Sequence, residues 1–393
     1  MRWPSKRIEE QANKGFGIYG LATQMENEGA EIIHLEFGRP SSDTPEHIKQ
    51  ACIDALNEGL VHYSDLLGLS ELRDALATRY KSFNKMDITP EQILITNGAT
   101  HASFAAILSA VDPGDEVIVL DPFYPQHNSK IRLAGGKIIT VALDKGRDFH
   151  IDINALKNAV SSRTRMLVLI NPANPTGAMY SREELMELSE FCQDHNLIVL
   201  SDEVYEFNTY DGAEHISIAS LPGMNERTIT VSAFTKAYAM DGWRIGFAVA
   251  PVNMIADMQK ITLNDATHPC VFAQAGAIAA VTGNQDCRLK LVAEDKRRRD
   301  LAVSRLNAMP GIKCHQPQAS IYAFPDIREL GISAESLAVD LLKSTGVAVE
   351  SGSFYGSQGD NHLRVCFGSQ PYDILEKGLD RIESFITSSV VSS

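Results

Sequence analysis

Between residues 90 and 251 the chain repeats one pattern: a short, almost wholly apolar run, a turn, and in most intervals a helix-like stretch. The runs are Ile93-Leu94-Ile95-Thr96, EVIVLDP (116–122), KIITVAL (137–143), RMLVLINP (165–172), LIVLSDEVY (197–205), TITVSAF (228–234) and RIGFAVAP (244–251). They are rich in Val and Ile and alternate little with polar residues, so such strands are buried on both faces. The Ala-rich segment HASFAAILSAV reads as a helix, and Ser181 stands three residues ahead of Glu184, the spacing of a capping box. Apolar strands separated by helices form a parallel sheet covered on both sides. The expectation is an α/β fold around a seven-stranded, mostly parallel sheet.

Beyond that region the texture changes. A long helical stretch, about 252 to 309, leads to short strand-like pieces (IKCHQ, SIYAF, VAVES, HLRVCF) mixed with helices at SAESLAVDLLKS and PYDILEKGLDRIESFI. This predicts a smaller α+β domain, residues 1–45 and 285–393, beside a large domain of residues 46–284. A chain of 393 residues is long enough for two such domains.

Charge narrows the partners. With 36 basic and 50 acidic residues the net charge is -14, and no basic face is evident, so nucleic acid is not expected. No apolar run reaches the roughly 18 to 20 residues of a membrane span, and the N-terminal stretch holds no apolar segment of the signal-peptide kind. The six cysteines lack CxxC spacing, which argues against zinc and disulfides and for a reducing cytoplasm. No metal site is expected.

In open α/β sheets ligands sit at the carboxyl ends of the strands. The residues following these ends are Gly98-Ala99-Thr100, Tyr124, Asn174, Asp202 with Tyr205, and Ser232 through Lys236, with Arg244 opening the last strand-like run. Lys236 lies among small and apolar residues, where a charged amine is costly to bury. A lysine so placed reads as a nucleophile kept reactive. Gly98-Ala99-Thr100 precedes a helix, whose N-terminal N–H groups and dipole suit a phosphate.

Four stretches, NPANPTG (171–177), SDEVY (201–205), FTKAYAMDGWRIG (234–246) and HLRVCFG (362–368), resemble the class I/II, fold-type I aminotransferases that depend on pyridoxal 5'-phosphate. The resemblance runs in order from LEFGRP at residue 35 to the final helix. It implies that Lys236 bonds the cofactor and then carries a proton, and that Asp202 partners the ring nitrogen. It further implies that Tyr205 and Asn174 meet the ring oxygen and that Tyr124 stacks on the ring. Gly98, Ala99, Thr100, Ser232 and Arg244 would hold the phosphate, with Tyr63 reaching the phosphate of a neighbouring subunit in a homodimer with shared sites. Arg364 would grip the substrate α-carboxylate, with Asn174 beside it, and Gly38 would cover the substrate.

The implied reaction moves an amino group from an amino acid to a 2-oxo acid in two half-reactions. Elimination at a C–S bond, ring-forming synthesis and oxidation share the scaffold and remain alternatives. A regulator built on this fold would add an N-terminal DNA-binding unit, for which only about forty residues precede the core. Two departures from the usual pattern, Arg39 and Ala319-Ser320-Ile321, lie where side-chain specificity is expected to be set.

Overall fold

The computed structural model describes residues 3–9 and 17–391. Seven strands form the main sheet: β1 (Ile93–Thr96), β2 (Glu116–Asp121), β3 (Lys137–Ala142), β4 (Thr164–Ile170), β5 (Ile198–Asp202), β6 (Thr228–Ala233) and β7 (Gly246–Val249). Their spatial order is β1-β7-β6-β5-β4-β2-β3. All seven sequence runs are present, each ending close to where its apolar stretch ends. The exception to parallel pairing is β7, which runs antiparallel to both β1 and β6. Its run is as apolar as the others, so burial gave no sign of direction. The link from Phe234 to Ile245 contains turns rather than the crossover helix that parallel neighbours usually need.

Side chains alternate across the sheet, and both faces are covered. Val117, Val119, Met166 and Val168 pack with Ala102, Ala105 and Ala106 of the helix Ala99–Ala110. Ile118, Leu120, Leu167 and Leu169 pack on the other side with Leu185 and Leu188 of the helix Arg182–Asp194. That second helix begins with Ser181 and Glu184 in the reciprocal capping box.

The smaller α+β region is built from β8 (Tyr322–Ala323), β9 (Glu350–Ser351) and β10 (Leu363–Cys366), in the antiparallel order β9-β10-β8. IKCHQ is not a strand; it supplies a single bridge, Lys313 opposite Asp326. VAVES divides between two ladders. Its first half, Val347–Ala348, pairs in parallel with Ile33–His34, and its second half is β9. That parallel pairing joins the N-terminal segment to the smaller region, where Ile33 and Leu35 share a core with Leu306, Leu341, Val365 and Leu379. Residues 1–2, 10–16 and 392–393 of the proposed small domain lie outside the described residues.

Candidate active site

The parallel strands end at one edge of the sheet, and the antiparallel β7 begins there. Asp202 is the last residue of β5, and Lys236 lies three residues beyond β6. Arg244 precedes β7, so reversal of that strand carries it to the edge where the other strands finish. A cavity of about 750 Å³ opens at this edge. Ala99, Thr100, Tyr124, Asn174, Asp202, Tyr205, Lys236 and Arg244 border it from the sheet region; Gly38 and Arg364 border it from the smaller region.

Lys236 is half-buried, and its Nζ donates a hydrogen bond to the carbonyl oxygen of Gly38. The amine also lies 5.6 Å from the centre of the Tyr205 ring. Burial pulls it down to about 8 from its ordinary 10.5. A neutral amine, the form that attacks a carbonyl, is therefore accessible near neutral pH.

Asp202 is buried, with Oδ2 at 3.0 Å from His127 Nε2 and Oδ1 accepting from the Val204 N–H at 3.3 Å. His127 is held below its ordinary titration range, chiefly by burial. Its Nδ1 is buried without a hydrogen-bond partner among the described residues, which fits a neutral ring donating Nε2–H to Asp202.

The opposite wall is organised around Arg364. Its Nη1 donates to Asn174 Oδ1 at 3.1 Å and its Nη2 to the Glu36 carbonyl oxygen. The guanidinium lies 4.3 Å from the Tyr322 ring centre and 4.6 Å from that of Tyr355. Two aromatic faces restrict the plane of the guanidinium, which suits forked recognition of a carboxylate. Tyr205 and Tyr322 bring their hydroxyls within 2.7 Å of each other. Glu350 accepts from the N–H groups of Ile18 and Ser351, and burial pushes its carboxyl up to about 7.

At the start of the helix Ala99–Ala110, no side chain caps the free N–H groups. Gly98 holds φ at 80°, and a Cβ there would come within 2.5 Å of Arg244 Nη2. A Cβ at Gly246 would come within 2.6 Å of the Ala99 nitrogen, so this glycine lets β7 approach the turn. An uncapped helix N-terminus beside a guanidinium is a cradle for a dianionic phosphate. With a buried carboxylate, an aromatic ring and a lysine on the same cavity, the donor set fits a phosphorylated pyridine aldehyde.

Three expectations do not converge here. Ser232 is turned away: its Oγ donates to Glu206 Oε1 at 3.0 Å, in a buried group where Arg79 also pairs with Glu206. Strand alternation explains this, because the neighbouring Ala233 borders the cavity, as does Thr235. Tyr63, expected to serve a neighbouring subunit's site rather than this one, lies off this cavity and is 88% exposed, its ring edge-on to His268. Arg39 is exposed and does not border the cavity. Of the stretch 319–322, Ala319, Ser320 and Ile321 are buried behind the cavity and Tyr322 alone lines it.

Sequence reasoning overlooked His127, Tyr322, Tyr355 and Glu350 as site residues. For His127 there was a usable signal: it lies one turn after Tyr124 at the start of a helix. For the others, which come from short strands and loops, no spacing announced a shared wall.

A family model described as aminotransferase class I and II matches residues 30–382. Aromatic-amino-acid aminotransferase 2 of Thermococcus litoralis is 37% identical over 372 residues, covering 94% of each chain. An aspartate aminotransferase of Pyrococcus abyssi has the same identity and coverage. The solved structure of an alanine aminotransferase from Pyrococcus furiosus superposes with a TM-score of 0.92 at 33% identity, covering 98% of this chain and 100% of that one.

Proposed function

Because this chain belongs to aminotransferase class I and II, the fold-type I pyridoxal-phosphate enzymes, we propose that it moves an amino group from an α-amino acid to a 2-oxo acid. The observation that carries this reading is the meeting of Lys236 and Asp202 with Arg364 across one cavity. An amine that is easily freed of its proton faces an arginine oriented for a carboxylate. The relatives above are named for aromatic amino acids, aspartate and alanine, all α-amino acids, which supports an α-amino acid donor.

Pyridoxal 5'-phosphate, held by Ala99, Thr100 and Arg244 at its phosphate and by Asp202 at its ring nitrogen, would supply an aldehyde carbon and an electron-withdrawing ring. Tyr205 and Asn174 would meet the ring oxygen, and Tyr124 would pack on the ring. Arg364 binds the substrate carboxylate and so sets which bond at Cα faces Lys236. Lys236 takes and returns the Cα proton, a task suited to an amine near 8. Phe37 and Gly38 cover the cavity from the N-terminal segment and limit water. The same carboxylate grip serves amino acid and oxo acid, so one site performs both half-reactions in turn.

We infer a homodimer as the working form. Leu60, Val61, Tyr63 and Leu66 are all exposed within seven residues, a grouping that suits burial against a second copy. A cytoplasmic setting is supported by six free thiols. No helix among the described residues is long and apolar enough to cross a membrane.

The test is to incubate the loaded protein with single amino acids and a panel of 2-oxo acids and to quantify products. Amino acid and oxo acid appearing one for one support transfer; release of ammonia or a thiol instead overturns it in favour of elimination. Borohydride reduction followed by peptide mass analysis should find the cofactor on Lys236. In Lys236→Ala that label should vanish and turnover fall by about 10⁴-fold or more.

A further inference from the structure

We propose that Asp121 is a positioning residue of this site: its carboxylate fastens the loop 352–359 to the end of β2, and through Tyr355 of that loop it sets the plane of the Arg364 guanidinium. The inference rests on the function proposed above, in which Arg364 binds the substrate carboxylate.

Asp121 is the last residue of β2 and is only 3% exposed. Its Oδ2 accepts from the Ser357 N–H at 3.1 Å and from Ser357 Oγ at 2.9 Å, and its Oδ1 accepts from the Gln358 N–H at 3.1 Å. Burying a carboxylate is costly unless donors meet it, and these three come from one short stretch of the smaller region. Two residues further on, the Phe123 N–H donates to the Tyr355 carbonyl oxygen at 2.8 Å, a second tie between the same two segments. Gly356 lets the loop settle this closely: its φ is 117°, and a Cβ there would come within 2.2 Å of Asp121 Oδ1.

The loop is held on both sides of Tyr355. Upstream, β9 pairs with β10, with Glu350 opposite Arg364, and the Gly352 N–H donates to the His362 carbonyl oxygen at 2.8 Å. Downstream, Asp121 holds Ser357 and Gln358. Tyr355 lies between, 2% exposed, with its ring centre 4.6 Å from the Arg364 guanidinium. The other ring on that guanidinium, Tyr322, comes from β8, which pairs directly with the strand of Arg364. One ring thus belongs to the small sheet that carries Arg364, and the other is fastened to the end of the large one. Releasing the Asp121 tie frees Tyr355 and leaves the guanidinium one restraining face, so the fork loses its fixed plane. A loosened fork weakens carboxylate binding and spares steps at Lys236 that make no use of the carboxylate.

The experiment compares wild type, Asp121→Asn, Tyr355→Leu and the double variant, each loaded with pyridoxal 5'-phosphate. KM and kcat are measured with whichever of alanine, aspartate and phenylalanine turns over fastest in wild type, and with its 2-oxo acid. Ethylamine, which has no carboxylate, is followed in a single turnover as the control. In Asp121→Asn the amide keeps the size but sets a donor against the N–H groups of the loop. KM for both acids should rise about 10-fold, with kcat changed by less than about 3-fold. Ethylamine should react as in wild type. In the Tyr355→Leu background the same substitution should add less than about 2-fold, because the ring through which it acts is gone. Fully additive losses overturn the proposal, as does an equal loss with ethylamine and the amino acid, which would trace the effect to general damage. Should Asp121→Asn not fold, Ser357→Ala takes its place: losing one of three donors should raise KM by about 3-fold, and an unchanged KM overturns the proposal. Wild type that reacts with the amino acid no faster than with ethylamine would instead overturn the reading of Arg364 on which the proposal rests.

Discussion

The two walls of the cavity are held in place by different means. On the sheet side, Asp202, Lys236 and the Gly98 turn sit at or just beyond strands whose register is locked by a seven-stranded ladder. On the other side, Arg364 comes from a four-residue strand, Tyr322 from a two-residue strand and Tyr355 from a short 3₁₀ turn. Here contacts do the positioning: stacked rings, the Asn174 amide and the Glu36 carbonyl fix one guanidinium. A ladder tolerates loss of one side chain with little movement. A contact-built wall depends on the shape of each member, so conservative changes should separate the two.

The largest effect is expected on the sheet side, from chemistry rather than position. Asp202→Asn keeps the shape and removes the charge, and should lower the rate of Cα proton removal by roughly 10³-fold. Cofactor affinity, measured by equilibrium dialysis, should change far less because the phosphate contacts remain. Near-normal turnover would end the assignment of Asp202 to the ring nitrogen. On the contact-built wall, Arg364→Lys keeps the charge and loses the planar fork, with an expected cost of about 10²-fold in kcat/KM for amino acids. A simple amine without a carboxylate should react nearly as before. If both substrates suffer equally, Arg364 is structural and the contrast between the walls fails.

Ser232→Ala sharpens the comparison in another way. The hydroxyl supports buried Glu206, so unfolding free energy should fall by about 1–2 kcal/mol with no change in cofactor affinity. A lost affinity at unchanged stability would return Ser232 to the phosphate. The smallest effect concerns Glu350, whose carboxyl is raised by burial to about 7 from its ordinary 4.5. The folded state binds this proton more tightly than the unfolded one, so the contribution is full below 4.5 and lost as pH rises through about 7. In cofactor-free protein, Glu350→Gln should flatten that loss by on the order of 1 kcal/mol in denaturant titrations at pH 4.5 and 7. Asp295, also pushed up to about 7 by burial, keeps its own share of the slope in the variant. An unaltered pH slope would mean that the Glu350 carboxyl titrates normally.

Much of the sheet wall was legible because strand ends are a sequence feature: an apolar run stops, and the residues after it face the ligand edge. Asp202, Asn174, Tyr124 and Lys236 could all be found that way. Ser232 was misplaced because strand alternation decides which of two adjacent residues faces the cavity, and a run buried on both faces hides that phase. His127 was passed over because a polar residue within a helix gives no sign of what packs against it.

The sequence by itself determined the α/β class, the seven strands, the family and the lysine, because apolar runs and motif residues are local properties of the chain. Only the tertiary structure decided the direction of β7, which brings Arg244 to the Gly98 turn. It also decided that Glu36, Tyr322, Tyr355 and Arg364 form one wall. The Glu36–Arg364 contact spans 328 positions, and the partners in this wall are selected by packing and burial in three dimensions, which no local pattern encodes.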